Sequence, residues 1–174
     1  MIKTIPYKGF GDITFEMSFE EVKGLLRERH IQFNTECWAN KGCDPEVAWD
    51  IIQIGKSISI FFAKNRMFKI YFENDFEGVL ENGISLGMNI KDAEKLDPTI
   101  QYDDWEEIYT SEHGYWLEDD VESGEIISIT IFIKELEDAD VFFRYDWCNS
   151  PVQFFVRPVE METFDRMIGS LFYI

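Results

Sequence analysis

Apolar positions recur along this chain with two different periods. Phe19, Val22, Leu25 and Leu26 fall at helical spacing, as do Ile90, Ala93 and Leu96, so each set marks one face of a helix. Ser18 stands three residues before Glu21, the spacing of a capping box in which hydroxyl and carboxylate satisfy each other's backbone amides. Asn89 with Asp92 is the weaker counterpart, and Pro98 stops the second helix. Elsewhere the period is two. Segments 47–54, 57–63 and 67–72 alternate and turn at Gly55-Lys56 and Lys64-Asn65-Arg66, which predicts three strands. Segments 105–110, 114–118 and 125–134 predict three more, whereas 34–45 reads as a loop. The tail adds candidate strands at 141–145 and 152–156. A closing amphipathic helix is expected over 159–172, with Phe164, Met167, Ile168 and Leu171 as its buried stripe.

These elements come round twice. The stretch from Ile13 to Leu25 lies over that from Ile84 to Leu96 at an offset of 71, with Ile13/Ile84, Met17/Met88 and Leu25/Leu96 matching outright. After a two-residue gap, Ile31-Gln32-Phe33 matches Ile100-Gln101-Tyr102. The expected class is α+β: two tandem helix-plus-antiparallel-meander repeats with a C-terminal helix. One domain over residues 1–174 would hold repeat 1 (about 10–73), repeat 2 (about 82–134) and a strand/helix extension (about 140–174).

Charge divides the halves. The chain carries 34 Asp and Glu against 16 Lys and Arg, net −18. Residues 1–72 are close to neutral at net +1, residues 141–174 stand at −1, and residues 73–140 hold 21 acids against Lys91, Lys95 and Lys134. The acids come as runs at 73–77, 103–107, 118–122 and 135–140. A single run is ordinarily a solvated loop. Four in one stretch repel one another and destabilise the compact state, which points to a use for the charge. Trp105, Tyr109, Tyr115 and Trp116 are interleaved with them, residue types enriched at interface hot spots. Nucleic acid and anionic membrane are excluded as partners, since both bind through Lys and Arg. The N-terminus lacks the apolar core of a signal peptide, and no window reaches the ~20 apolar residues of a spanning helix. Three cysteines, Cys37, Cys43 and Cys148, suit a reducing compartment, so a cytoplasmic protein is expected.

Little in the chain nominates catalysis. His30 follows Arg29 at a helix end, and His113 lies in a turn composition. The spacing of Cys37 and Cys43 matches no common zinc site. Phosphate loops and serine elbows are absent. Carboxylate pairs keep a metal-dependent hydrolase open as an alternative, as is a general acidic protein-binding module. The expectation is a non-enzyme with no catalytic residue, metal ligand or cofactor.

The segment Ile84-Ser85-Leu86-Gly87-Met88-Asn89-Ile90-Lys91-Asp92-Ala93 resembles the strand, Gly-Met, polar cap and helix opening of two related families. These are the β-lactamase inhibitor proteins, built from two helix-plus-sheet units, and the SmpA/OmlA lipoproteins, built from one. In the first repeat, Glu16-Met17-Ser18 replaces the Gly-Met-polar pattern. The resemblance covers residues 12–134 and implies a double-length sheet presenting aromatic and acidic side chains to a partner. A short, acidic, aromatic-rich α+β chain without a catalytic motif is also similar to the immunity proteins of contact-dependent growth inhibition systems. That likeness implies an inhibitor of a cognate toxin, basic and nuclease-type. The expected contact surface is Asp103, Asp104, Glu106, Glu107, Glu118, Asp119, Asp120 and Glu122, with Tyr109, Tyr115 and Trp116 as anchors.

Overall fold

A computed structural model describes residues 2–40, 49–137 and 154–157. At the N-terminus, β1 (Lys3–Ile5), β2 (Gly9–Phe10) and β3 (Ile13–Thr14) lead into α1 (Phe19–Glu28). Ser18 caps α1 as expected: its hydroxyl accepts from the Glu21 amide, and its own amide donates to the Glu21 carboxylate at 2.8 Å. The helix ends at Arg29, and the next residue, His30, takes a left-handed φ of 56° while the Ile31 amide reaches back to the Leu26 carbonyl.

A meander follows: β4 (Asn34–Asn40), β5 (Trp49–Ile54), β6 (Ile58–Ala63) and β7 (Arg66–Glu73). A short β8 (Val79–Leu80) precedes α2 (Ile90–Leu96), capped by Asn89. A second meander then runs through β9 (Gln101–Asp103), β10 (Ile108–Ser111), β11 (Tyr115–Asp119) and β12 (Ile126–Phe132). A 3-10 turn (Lys134–Glu137) and β13 (Phe154–Arg157) complete the described elements. The class is α+β, with one antiparallel sheet of nine strands in the order β13-β4-β5-β6-β7-β12-β11-β10-β9. A small sheet, β3-β2-β1-β8, has β1 parallel to β8.

Three expectations change. Residues 34–40 form a strand, not a loop, which lengthens the first meander to four strands. The segment 105–110 divides into a turn at 104–107 and β10, and an unforeseen strand, β9, precedes it. The tail strand falls at Phe154–Arg157, whereas the candidate strand at 141–145 and the closing helix at 159–172 lie outside the described residues.

Strand register assigns the faces. Ile52, Ile60, Ile70, Ile131 and Tyr115 are successive cross-strand neighbours, as are Ile58, Phe72, Ile129, Leu117 and Tyr109. This face packs with Val22 and Leu26 of α1, with Ile90 and Ala93 of α2, and with Phe10, whose ring meets Phe72 at 5.3 Å. Each fully buried Ile, Leu or Phe contributes on the order of 1.5–3 kcal/mol, so the row across β5, β6, β7, β12 and β11 is the main fastening of the fold. The opposite face carries Trp38, Trp49, Phe61, Lys69, Tyr71, Thr130, Trp116 and Phe132.

Thr4, in β1 of the small sheet, is buried, and its hydroxyl lacks a hydrogen-bond partner among the described residues. A hydroxyl taken from water without compensation costs about 1–3 kcal/mol, and valine has the same shape. Thr4→Val should therefore stabilise the protein, raising Tm in calorimetry by about 2–4 °C per kcal/mol recovered for a chain of this size.

Candidate interaction surface

Antiparallel pairing decides where the acidic runs end up. Strands β9 and β11 point the same way, so the turns at 104–107 and 120–125 lie at one end of the sheet. Because β7 is antiparallel to β12, residues 74–77 leave β7 at that same end. Three of the four runs are thereby gathered from positions up to 49 residues apart in sequence (73–122). The described part of the fourth, residues 135–137, follows β12 at the other end. There Glu135 pairs with Arg66 and Glu137 accepts a hydrogen bond from the Tyr7 hydroxyl.

Some of these carboxylates shape the backbone. Asp103 Oδ1 accepts from the amides of Trp105 at 2.8 Å and Glu106 at 3.2 Å. Asp120 Oδ1 accepts from the amides of Ser123 at 2.8 Å and Glu122 at 3.1 Å, and hydrogen bonds from Ser123 above all hold its carboxyl below the ordinary value. Both are Asx turns, in which the acid side chain imitates a backbone carbonyl. Each turn lifts one large apolar residue into solvent: Trp105 is 89% exposed and Val121 is 93% exposed. The two turns are two strand spacings apart, about 10 Å. Asp104, Glu106, Glu107 and Glu122 are exposed around them.

The other expected contacts are divided among different surroundings. Glu118 is half-buried on the face opposite the helices, where it accepts from the Ser128 hydroxyl and from Tyr71 at 3.3 Å. Lys69 lies in the same region, its Nζ 4.6 Å from the Phe61 ring centroid and 5.5 Å from that of Trp49. Burial lowers the Lys69 ammonium to about 8, against the opposing pull of Glu118. Trp116 packs on Phe132 with ring centroids 4.5 Å apart. Tyr109 faces the helices beside Tyr102, and Asp119 is half-buried.

Tyr115 is a correction. It is 1% exposed and belongs to the core, so it cannot anchor a partner. Its hydroxyl donates to Asp97 and accepts from Asn82 at 3.1 Å. Asp97, directly after α2, is the centre of a buried network that sequence reasoning missed. It accepts from Ser111 Oγ at 2.6 Å, Thr99 Oγ1 at 2.6 Å and the Thr99 amide at 2.9 Å. The acid followed by Pro98 and Thr99 was the available signal, since a carboxylate two residues before a threonine amide suits an Asx turn.

The network also brings Ser111, His113 and Asp97 together. Ser111 donates directly to Asp97, and it is the His113 backbone amide, not its ring, that bonds Ser111 Oγ at 3.0 Å. The Ser111 hydroxyl is directed to Asp97, and the His113 ring stands beside the same carboxylate, its Nε2 3.7 Å from Asp97 Oδ1. Among the described residues, no group of three or more His, Cys, Asp or Glu side chains is arranged to hold a metal ion, and no helix is long and apolar enough to cross a membrane.

Fold and surface together define an antiparallel α+β protein with an acidic end carrying exposed apolar tips. No protein-family model, curated protein or solved structure matches the chain.

Burial opposes ionisation of Asp97, but hydrogen bonds from Ser111, Thr99 and Tyr115 outweigh it and hold the carboxyl at about 2. An unfolded aspartate titrates near 3.9. The folded pKa is the lower one, so this contribution is present above about pH 4 and is lost as pH falls from there toward 2. Asp97→Asn should cost on the order of 2–3 kcal/mol at pH 7 in denaturant unfolding, the worth of buried hydrogen bonds to a charge. The variant's stability should also fall less steeply than the parent's between pH 4 and 2.

Proposed function

We propose that this protein is a non-catalytic protein inhibitor: a cytoplasmic immunity protein that binds and blocks a basic, nuclease-type toxin through its acidic sheet end. The observation that carries this reading is the gathering of the runs at 73–77, 103–107 and 118–122 at one end of one sheet. Such a concentration of one sign raises the encounter rate with a basic surface, and it opposes the phosphate backbone such a surface would otherwise hold. Trp105 and Val121 supply what charge alone lacks, apolar area to bury at the centre of a contact.

We further propose that the two halves are copies of one helix-plus-meander unit. The bridges Ser18–Arg66 and Asn89–Glu125 join matching points of each half, which sets β7 over β12 at an offset of 59. At that offset Tyr71 corresponds to Thr130, and these two are cross-strand neighbours. Ile70 corresponds to Ile129 and Phe72 to Ile131, while the actual pairs are Ile70–Ile131 and Phe72–Ile129. This exchange is what a two-fold axis through Tyr71 and Thr130 would produce. On that reading the first copy does without the acidic excess, so the scaffold has no need of it.

The reading expects a toxic domain to be encoded beside this chain, and the test uses that domain. Its association rate should fall about tenfold or more between 50 and 500 mM salt in stopped-flow measurements. Reversing Asp104, Glu106, Glu107 and Glu122 to Lys should weaken binding at least as much, whereas reversing Glu20 and Glu28 on α1 should change it by less than about twofold. Equal losses from both sets, or no binding by the parent protein, would remove the proposal.

A further inference from the structure

We propose that Tyr102 and Tyr109, flanked by Glu94 and Asp119, form a seat for an arginine side chain of a protein partner. The seat occupies the outer corner of the helix-bearing face, on β9 and β10. The two rings stand 4.9 Å apart at 56°, and Tyr102 is 50% exposed. A tilted pair of this kind presents a ring face along which a flat guanidinium can stack. Burial raises the Tyr109 phenol, and the negative charges of Asp119 and Glu94 push it in the same direction. Those two carboxylates favour a cation beside the ring.

The other half of the molecule shows the same place filled. Phe33 matches Tyr102 in the sequence repeat; it lies directly before β4, whereas Tyr102 lies within β9. Arg27, from the last turn of α1, places its guanidinium 5.9 Å from the Phe33 ring centroid. Helix α1 has ten residues but α2 only seven, and the position matching Arg27 at the offset of 71 is Pro98, beyond the end of α2. Among the described residues, no Lys or Arg lies over Tyr102 or Tyr109. The second half thus keeps the aromatic and adds carboxylates while omitting the arginine. A partner supplies it.

This inference rests on the immunity reading only in taking the partner to be basic. The probe is triarginine amide, titrated at about 50 mM salt into protein carrying 13C-labelled tyrosine. The ring resonances of Tyr102 and Tyr109 should shift and saturate, with tricitrulline amide producing less than about a tenth of the effect and trilysine amide binding several-fold more weakly. Tyr102→Leu should weaken triarginine binding about fivefold, as should Glu94→Gln with Asp119→Asn, while Glu20→Gln with Glu28→Gln should leave it within a factor of two. Equal affinity for trilysine, or rings that stay unmoved at saturation, overturns the seat. Full neutralisation of the neighbouring toxin by Tyr102→Leu likewise overturns it and leaves the immunity reading standing. Saturable arginine binding at the rings, without binding of that toxin, leaves the seat standing and removes the immunity reading.

Discussion

The pairing of β7 with β12 joins two four-strand meanders into one sheet, and nearly everything else follows from its direction. Were that pair parallel, residues 74–77 would leave the sheet opposite the turns at 104–107 and 120–125, and the acidic runs would be divided between two ends. Antiparallel pairing places them together. It also sets Ile70 against Ile131 and Phe72 against Ile129, four side chains no more than 1% exposed, at the middle of the core. Register and charge placement are thus linked, because a one-residue slip would turn that row out of the core.

Gathering like charges costs stability, and the molecule contains that cost locally. Asp103 and Asp120 spend their oxygens on turn amides, where the carboxylate helps hold the chain reversal. Asp97 is fully buried yet surrounded by donors, so its charge is stabilised where an unsatisfied one would unfold the domain. Glu118 shares its face with Lys69 and accepts from Ser128 and Tyr71. Among the acids left on the surface, Asp104, Glu106, Glu107 and Glu122 lie in the two turns that raise Trp105 and Val121, and Asp75 and Glu77 follow β7 at the same end.

How much of this was legible in the sequence depended on the range of the physics involved. The Ser18–Glu21 cap and the stop before Pro98 are local and could be read directly. The strand at 34–40 was hidden because Asn34, Thr35, Glu36 and Asn40 give it no apolar alternation, and its pairing with β5 comes from across the sheet. Period two predicts strand from Trp105 onward, whereas Asp103 fixes Trp105 in a turn. Tyr115 and Trp116 are adjacent, and period two says that they face opposite ways without saying which way is inward. Both faces of this sheet bury residues, so hydrophobicity alone does not choose. The runs of acid were visible at once, but their meeting at one end depends on a pair of strands 59 residues apart.

On the reading that the halves are copies, their differences carry more information than their likeness. The short α2 is a case. Ending at Leu96, it leaves Leu96 and Tyr102 about half exposed, where α1 continues far enough to lay Arg27 over Phe33. A helix shortened only by drift would leave apolar surface facing water with nothing gained in return. Here the charges of Asp119 and Glu94 act on Tyr109 at the opened corner. That combination, an aromatic uncovered on one side and a negative field supplied on the other, is unfavourable to the isolated protein on both counts. It becomes favourable when a cation arrives from outside, which ties the local loss of helix to the acidic excess of the same half.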